Sequence, residues 1–318
     1  MKKFWIYMVI LLVVPAFVMT GCKKDDEETF DAQQVLVDYM ISQDLDLNKI
    51  IGGFVMDTPD DVSAVASKYI IDIRTADEFA AGHIVDAHRV DLANILTEAA
   101  KANKPILVVC KSGQTATHAV ALLRMSGYTD AQALKWGMSR WNAAFDIWSN
   151  NIGSIAAGHA NWNSDAAPNT LIYESPNFSS SVTDGAGILA ERVAKVLADG
   201  FKTTTPTDVL NNPGNYYINN YFSEGDYAGF GHIKGAYRIN PMLLGEGQVN
   251  YLDASKKITT YCYTGQTSAA ITAWLRVLGY DAVSMMWGMN NLYNSSTHWT
   301  SNKWSSGMVK NLPYVTGN

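Results

Sequence analysis

The stretch Pro105-Ile-Leu-Val-Val-Cys110-Lys-Ser-Gly113-Gln114-Thr115 returns later in the chain as Ile258-Thr-Thr-Tyr-Cys262-Tyr-Thr-Gly265-Gln266-Thr267. After each cysteine the same landmarks follow at similar distances: an arginine, a Gly-Tyr pair and a Trp-Gly-Met triplet. They are Arg124 and Arg276, Gly127-Tyr128 and Gly279-Tyr280, and Trp136-Gly137-Met138 and Trp287-Gly288-Met289. A long-period repeat of this kind indicates an internal duplication.

Each copy alternates short apolar runs with helical patterns. Tyr69 to Ile73 and Ile106 to Val109 are rich in residues that favour buried strands. After each cysteine the apolar residues have the spacing of one helix face. They are Ala119, Leu122 and Leu123 in the first copy and Ile271, Trp274, Leu275 and Leu278 in the second. The alternation predicts an α/β fold of two domains, each a parallel sheet flanked by helices on both faces.

Composition narrows the class of protein. The chain has 318 residues, of which 47% are hydrophobic and 17% charged, so it is long enough for about two domains with their own cores. A net charge of -6 gives no general attraction to phosphate backbones, and we therefore expect no nucleic-acid partner. Three cysteines are too few for a disulfide scaffold.

The first residues have the pattern of a targeting signal. Lys2 and Lys3 precede the apolar run Phe4 to Val18, and small residues stand before Cys22. This order resembles a bacterial lipoprotein signal peptide, with Met19 at a position where leucine is usual. The resemblance implies cleavage before Cys22, lipidation of that cysteine and attachment to a membrane. The location would be the cell envelope outside the cytoplasm, in the outer membrane, the periplasm or at the surface.

The same features predict the domain boundaries. Residues 1–21 are the signal peptide, and residues 22–30, with the charged run Lys23 to Glu28, are a tether. The first domain spans residues 31–150 and the second spans residues 186–318. Residues 151–185 are rich in Asn, Ser, Gly and Ala and are predicted to be a linker. Trp148, Trp162, Trp299 and Trp304 lie in polar stretches after the repeat cores and are predicted to pack the domains together.

The sequence around each cysteine is suited to nucleophilic chemistry. A strand that ends in cysteine, a short glycine-containing loop and then a helix aims backbone N–H groups and a helix N-terminus at the sulfur. Both stabilise a thiolate, so we expect the pKa of such a thiol to fall below its free value. A buried, inert cysteine is the alternative. Because Cys110 and Cys262 occupy equivalent positions before the same Gly-Gln-Thr motif, chemistry is favoured.

Three kinds of chemistry use a cysteine loop of this kind, and the nearby residues distinguish them. A phosphatase loop needs an arginine about six residues after the cysteine, where Ala116 and Ser268 stand here. A thioredoxin-type site needs a second cysteine at Gly113 or Gly265. Sulfur transfer needs only a thiolate, a nest of N–H groups and room for one more sulfur atom, and this chemistry remains.

The residues around the first cysteine resemble the rhodanese family. The matching segments are Asp72 to Ile84, Cys110 to Thr115 and Leu134 to Trp141, with Trp136 replacing the first glycine of a Gly-Gly-x-x-x-Trp segment. The resemblance implies a tandem rhodanese-like sulfurtransferase that moves sulfur from thiosulfate or mercaptopyruvate to a thiol or cyanide through a cysteine persulfide. It makes Cys110 and Cys262 the catalytic residues. The persulfide loops would be Lys111, Ser112, Gly113, Gln114, Thr115, Tyr263, Thr264, Gly265, Gln266 and Thr267.

The two copies differ in their charged residues. Asp72 and Arg74 support the first loop in this interpretation, whereas Asn219-Asn220 stand near the position of Asp72 in the second copy and no arginine follows. Lys111 adds a positive charge next to Cys110, where the second copy has Tyr263. We therefore expect both cysteines to carry sulfur, with Cys110 dominant for thiosulfate.

An alternative from another class is a membrane-tethered rhodanese-like scaffold without catalysis. His83 and His232 share a repeat position without ligand-spaced partners and are predicted to be structural. No spacing typical of a metal site or a nucleotide loop is present, so no metal and no cofactor are expected. A disulfide between Cys110 and Cys262 is not expected either, since equivalent loops of separate domains are seldom within bridging distance.

Overall fold

The computed structural model describes residues 30–317. The predicted signal peptide, the lipidated Cys22 and nearly all of the predicted tether lie outside the described residues. Within the described range, no helix is long and apolar enough to cross a membrane.

The first copy contains five strands and six helices. The strands are β1 Val55–Met56, β2 Tyr69–Asp72, β3 His88–Arg89, β4 Ile106–Val109 and β5 Gln132–Leu134. The helices are α1 Ala32–Ser42, α2 Leu47–Ile51, α3 Ala76–Ala81, α4 Ile95–Ala99, α5 Gln114–Met125 and α6 Met138–Trp141. Short 3-10 turns cover Val62–Val65, Leu92–Asn94 and Ala143–Phe145.

The second copy repeats this plan. Its strands are β6 Trp162–Asn163, β7 Thr203–Thr204, β8 Tyr217–Asn220, β9 His232–Ile233, β10 Ile258–Tyr261 and β11 Ala282–Met285. Its helices are α7 Gly185–Asp199, α8 Pro206–Asn211, α9 Glu224–Phe230, α10 Gln266–Val277 and α11 Met289–Leu292. The 3-10 turns are Pro213–Asn215, Gln248–Tyr251 and Ser306–Met308.

The two main sheets are parallel, and four strands have the same order in both, with β3 as a fifth strand in the first sheet. The first runs β1-β5-β4-β2-β3 and the second runs β7-β11-β10-β8. In both, the strand that ends before the cysteine is central, and the preceding long strand pairs beside it in the same register. Asp72 pairs with Val109, and Asn220 pairs with Tyr261. The predicted fold class, two α/β domains with helices on both faces of parallel sheets, is confirmed.

Helices α5 and α10, each directly after a cysteine loop, pack against each other. The sequence pattern predicts one apolar face for each helix. Instead, nearly every residue of α5 is buried, because one side covers its own sheet and the other side meets α10. Both helices carry small side chains that permit this approach, including Ala116, Ala119, Ala121, Ala269, Ala270 and Ala273. The cores of the two copies therefore merge around these helices.

Two buried glutamines exchange hydrogen bonds across this contact. The Gln114 side-chain oxygen accepts the Trp287 N–H at 2.9 Å, and the Gln266 oxygen accepts the Trp136 N–H at 3.1 Å. Thr117 strengthens the contact, since its hydroxyl lies 2.8 Å from the Gln266 carbonyl oxygen. We call the reciprocal Gln114–Trp287 and Gln266–Trp136 pairs the glutamine clasp. The glutamine of each copy thus accepts the tryptophan N–H of the other copy, which is the reciprocal pattern of a two-fold symmetric contact.

The glycine before each glutamine makes room for the clasp. A Cβ on Gly113 would lie 2.5 Å from Gln266 Oε1, and a Cβ on Gly265 would lie 2.2 Å from Gln114 Oε1. Both glycines also have left-handed backbone, with φ of 85° and 74°. The repeated Gly-Gln pair is thus required by contact between the copies, whatever chemistry the loops perform.

Four tryptophans close the space beside the clasp. Trp136, Trp148, Trp287 and Trp304 form one cluster, with Trp148 edge-on to both Trp136 at 4.7 Å and Trp287 at 4.8 Å. The predicted packing role is confirmed for Trp148 and Trp304. Trp162 and Trp299 instead pack in the core of the second copy.

Two segments extend across the predicted domain limits. Strand β6, within the predicted linker, pairs antiparallel with β9 of the second copy. The last described residues return to the first copy, where Leu312 N donates to the Trp141 carbonyl at 2.8 Å and Val315 N donates to the His83 carbonyl at 2.9 Å. The predicted boundaries stay predictions.

The clasp leads to a stability prediction. Gln266→Ala leaves the N–H of the fully buried Trp136 without an acceptor, so we expect the free energy of unfolding to fall by about 1–3 kcal/mol. Urea unfolding followed by circular dichroism measures this loss. The matched control is Gln34→Ala, which removes an exposed glutamine on α1 and should change stability by less than about 0.5 kcal/mol. Equal effects of the two variants would contradict the account of the clasp.

Candidate active site

Cys110 lies between the end of β4 and the start of α5, with 4% of its surface exposed. Its sulfur accepts the Gly113 N–H at 3.2 Å and the Ala116 N–H at 3.3 Å. The second donor belongs to the first turn of α5, whose N–H groups have no partner inside the helix. The sulfur therefore lies in the nest of donors that the sequence predicts.

Cys262 occupies the equivalent position with a poorer set of donors. It is 1% exposed, and its sulfur accepts the Ser268 N–H at 3.4 Å. The Ser268 hydroxyl lies 3.8 Å from the sulfur and 2.9 Å from the Ser284 hydroxyl. Ser268 thus replaces Ala116 and brings a neutral hydroxyl pair to this thiol. Both cysteines are free.

The expected lowering of the thiol pKa is wrong for Cys110. Burial raises the pKa of the Cys110 thiol above its ordinary value, and the Asp72 carboxylate adds to that increase. Hydrogen bonds from the Ala116, Ser112 and Gly113 backbone act in the opposite direction without outweighing burial. The loop pattern identified the donors, but it did not show how deeply the fold buries the sulfur.

Asp72 and Arg74 form a buried ion pair at the end of β2. Arg74 Nη2 lies 2.6 Å from Asp72 Oδ2, and the Arg74 Nε–H also reaches the same carboxylate at 3.0 Å. The guanidinium donates further to the Gly82 carbonyl at 2.8 Å. Asp72 is fully buried and Arg74 is 4% exposed. The pair ties the end of β2 to the turn after α3, which is the structural role that the sequence analysis allowed for it.

Lys111 is held by a second ion pair. Its ammonium group contacts the Glu78 carboxylate, and the Lys111 side chain remains about half exposed. Burial alone would raise the pKa of Glu78, but hydrogen bonds from Lys111 and Thr75 outweigh it and lower that pKa. Glu78 is the third residue of α3 and forms a capping box with Thr75. The positive charge that the sequence places next to Cys110 is therefore shared with a carboxylate.

These charged residues line a cavity of about 140 Å³ beside the Cys110 loop. Its lining residues are Arg74, Glu78, Ala81, Lys111, Met138, Phe145 and Ile147. The apolar members were not identified from the sequence. The cavity joins an apolar wall to two ion pairs and is large enough for a small anion or an organic acid.

Most of the remaining predicted loop residues form hydrogen bonds within the loops or between the copies. The Ser112 hydroxyl lies 3.2 Å from the Gln114 side-chain nitrogen, and the Ser112 carbonyl accepts the Trp148 indole N–H at 3.1 Å. Thr264 accepts the Gln266 N–H at 3.2 Å. Thr115 and Thr267 are partly exposed. The side chains of Gln114 and Gln266 are committed to the clasp, and a role in sulfur binding for these loops stays a prediction.

The two repeat histidines are structural, as predicted. His83 stacks on Phe79 with centroids 3.7 Å apart, and its Nδ1 lies 2.9 Å from the Phe79 carbonyl. His232 stacks on Tyr227 at 3.8 Å. Among residues 30–317, no group of three His, Cys, Asp or Glu side chains is placed to hold a metal ion.

The duplication itself supplies a test of the Asp72–Arg74 pair. Asn220 and Phe222 occupy the equivalent positions in the second copy. Arg74→Phe alone leaves a buried, unpaired carboxylate, so it should cost about 3–5 kcal/mol of unfolding free energy. Asp72→Asn with Arg74→Phe removes both charges and should cost clearly less. Chemical denaturation compares the variants. A double variant as unstable as Arg74→Phe would show that the unpaired charge is not the cause.

Comparison with known proteins places this site in a family. The rhodanese-like domain matches residues 57–144 and 221–295, which together are just over half of the chain. Thiosulfate sulfurtransferase GlpE of Pseudomonas fluorescens (strain SBW25) is 35% identical over 78 residues, covering 24% of this chain and 72% of that protein. The enzyme of the same name from Pseudomonas putida (strain GB-1) is 35% identical over 78 residues, covering 24% of this chain and 71% of that protein.

Two solved structures are similar to this chain at low identity. The thiosulfate sulfurtransferase from Pseudomonas aeruginosa is 14% identical, with 86% of this chain and 48% of that chain covered and a TM-score of 0.29. The 3-mercaptopyruvate sulfurtransferase from Leishmania major is 14% identical, with 78% and 75% covered and a TM-score of 0.28. On the domain matches, this chain belongs to the rhodanese-like family and carries two copies of the domain in tandem.

Proposed function

We propose that this protein is a sulfurtransferase that carries a sulfane sulfur on Cys110 as a persulfide. The observation that supports it most is the Cys110 sulfur, which accepts two backbone N–H groups beside a cavity with cationic side chains. Thiosulfate and mercaptopyruvate are the proposed donors, and a thiol or cyanide is the proposed acceptor.

In the first half-reaction the Cys110 thiolate attacks the outer sulfur of thiosulfate. A Cys–S–S bond forms, the S–S bond of thiosulfate breaks, and sulfite leaves with the electron pair. The persulfide then carries one negative charge on its terminal sulfur. In this proposal the N–H groups of Gly113 and Ala116, which donate to the Cys110 sulfur, stabilise the attacking thiolate.

In the second half-reaction the acceptor attacks the terminal sulfur. With cyanide, a C–S bond forms, the persulfide S–S bond breaks, thiocyanate leaves and the Cys110 thiolate is regenerated. Because the enzyme alternates between two covalent states, the kinetics are expected to be ping-pong.

The charges at the cavity shape donor binding in this proposal. Lys111 attracts the anionic end of the donor, and Glu78 competes for the same ammonium group. Since burial raises the pKa of Cys110, the reactive thiolate becomes more populated as the pH rises toward that pKa. Sulfur loading should therefore be faster in alkaline buffer than in neutral buffer.

A second candidate function is a rhodanese-like scaffold without catalysis. The burial of both thiols and the raised pKa of Cys110 favour it. The two candidates differ in one result, namely whether sulfur moves from a donor to an acceptor in the presence of the pure protein.

The membrane attachment remains part of the proposal. Its support is the sequence alone, with Lys2, Lys3 and the apolar run to Val18 placed before Cys22. A lipid on Cys22 would tether both domains outside the cytoplasm, where a sulfur donor and acceptor would have to be supplied.

Paired cysteine variants test the enzyme proposal. Cys110→Ser should lower thiosulfate-to-cyanide transfer at least about a hundredfold, because the covalent carrier is lost. Cys262→Ser is the matched control and should keep most of the activity. Steady-state rates of thiocyanate formation at low ionic strength measure both. Full activity in Cys110→Ser with loss in Cys262→Ser would reverse the assignment, and no activity in the wild type would favour the scaffold.

A further variant tests the tether. Cys22→Ser removes the acceptor of the lipid, so the protein should move from the membrane fraction to the soluble fraction after expression in a lipoprotein-processing bacterium. Ultracentrifugation and immunoblotting follow the shift, with Cys262→Ser as a control that should stay in the membrane. A Cys22→Ser protein that still sediments with membranes would contradict the lipoprotein hypothesis.

A further inference from the structure

The structure allows the two sites to be aligned residue by residue. Strands β2 and β8 pair in the same register with the strands that lead to the cysteines. Phe222 therefore occupies the position of Arg74. Asp226, the third residue of α9 after the cap Ser223, occupies the position of Glu78 in α3. Tyr263 follows Cys262 as Lys111 follows Cys110.

The position after the cysteine contacts the third residue of the helix in both copies, but the chemistry of this contact differs. In the first copy Lys111 pairs with Glu78, and in the second copy the Tyr263 hydroxyl donates to Asp226. The cation is thus replaced by a neutral phenol that reaches the same helix turn. Asp226 is also 3.0 Å from His298 Nε2, and it accepts the Ser223 hydroxyl at 2.8 Å.

Aromatic side chains pack around Tyr263, the residue that follows Cys262. Phe222 stacks on Tyr263 with centroids 4.4 Å apart and an interplanar angle of 12°. Phe230 lies edge-on to Trp299 at 4.9 Å and to His298 at 4.7 Å. Phe222 is fully buried. We call Phe222, Phe230, Tyr263, His298 and Trp299 the aromatic plug.

The aromatic plug is stabilised by buried apolar contacts and by hydrogen bonds to its polar groups. Stacked and edge-on aromatic pairs bury large apolar areas. The polar groups among them have partners: the Tyr263 hydroxyl donates to Asp226, His298 Nε2 lies 3.0 Å from Asp226, and the Trp299 indole N–H donates to the Tyr293 carbonyl at 3.2 Å. Burial raises the pKa of Tyr263, and the hydrogen bond to Asp226 raises it further, so the phenol stays neutral. By contrast, the first copy has Arg74 and Lys111 in these places and retains a cavity of about 140 Å³ there. The second loop also lines a cavity, of about 200 Å³, but its lining contains Tyr263 and none of the other four residues of the plug.

We infer that the Cys262 site is a closed copy, in which the aromatic plug occupies the space of the donor cavity, so that sulfur exchange is confined to Cys110. The statement about exchange rests on the proposed sulfurtransferase function, whereas the closure of the site does not. Two residues of the plug, His298 and Trp299, come from the segment after α11 and close the site from outside its loop. The inference replaces the expectation that both cysteines carry sulfur.

Alkylation by iodoacetamide tests closure without any sulfur donor. The wild-type protein is labelled over time, and peptide mass spectrometry gives the rate at each cysteine. We expect Cys110 to react at least about tenfold faster than Cys262, since a plugged thiol reacts only after local opening. Equal rates, or faster labelling of Cys262, would overturn the inference.

Variants that thin the plug complete the test. In Phe222→Ala with Trp299→Ala, labelling of Cys262 should rise at least about tenfold while labelling of Cys110 stays the same. The matched control is His159→Ala, which removes a partly exposed histidine bonded to Asn211 and should leave both rates unchanged. A folded double variant whose Cys262 stays unreactive would overturn the role of the plug. If the double variant fails to fold, two other measurements decide. They are the labelling rate of Cys262 in Tyr263→Ala, which should also rise, and the ratio of the two labelling rates in the wild type.

Alkylation and sulfur gain together distinguish failure of the closure inference from failure of the proposed sulfurtransferase function. If closure is wrong, Cys262 is alkylated readily in the wild type. If the sulfurtransferase proposal is wrong, Cys110 is alkylated first but never gains sulfur from thiosulfate.

Discussion

The exchange of two glutamine side chains between the copies is the contact on which the rest of the structure depends. Gln266 accepts a backbone N–H of the first copy and lies against Gly113, whose own N–H donates to the Cys110 sulfur. In the second copy, Gln114 accepts the Trp287 N–H and lies against Gly265. The loops that hold the two thiols are therefore joined through buried contacts, and each loop is partly covered by the other copy. This arrangement explains why α5 and α10 are buried on all sides.

The duplication kept the frame and changed the side chains at the sites. Both copies share the order of four strands and have the same glycine before the helix. In both, the residue after the cysteine contacts the third residue of the helix that follows β2 or β8. In the first copy, ion pairs surround a cavity, while in the second copy Phe222 and Tyr263 stack where Arg74 and Lys111 stand. The second copy contacts the first loop directly, because its Gln266 accepts the Trp136 N–H and lies against Gly113.

Much of this could be predicted from the sequence, because strand patterns and a repeat are local signals. The register of Tyr69 to Asp72 beside Ile106 to Val109 follows from such patterns. The clasp could not be predicted, since a repeated Gly-Gln-Thr motif fits shared chemistry and shared contact equally well. The raised pKa of Cys110 was missed for a related reason: the burial of its sulfur is a tertiary effect that no loop motif encodes.

The central claim is that the two copies form one unit with a single working thiol, and the position of the transferred sulfur tests it most directly. Wild-type protein is incubated with thiosulfate and without an acceptor, then digested under conditions that preserve persulfides and analysed by mass spectrometry. The account predicts a gain of one sulfur atom on the peptide that contains Cys110 and an unchanged peptide around Cys262. Sulfur on the Cys262 peptide, alone or to a similar extent, would contradict it.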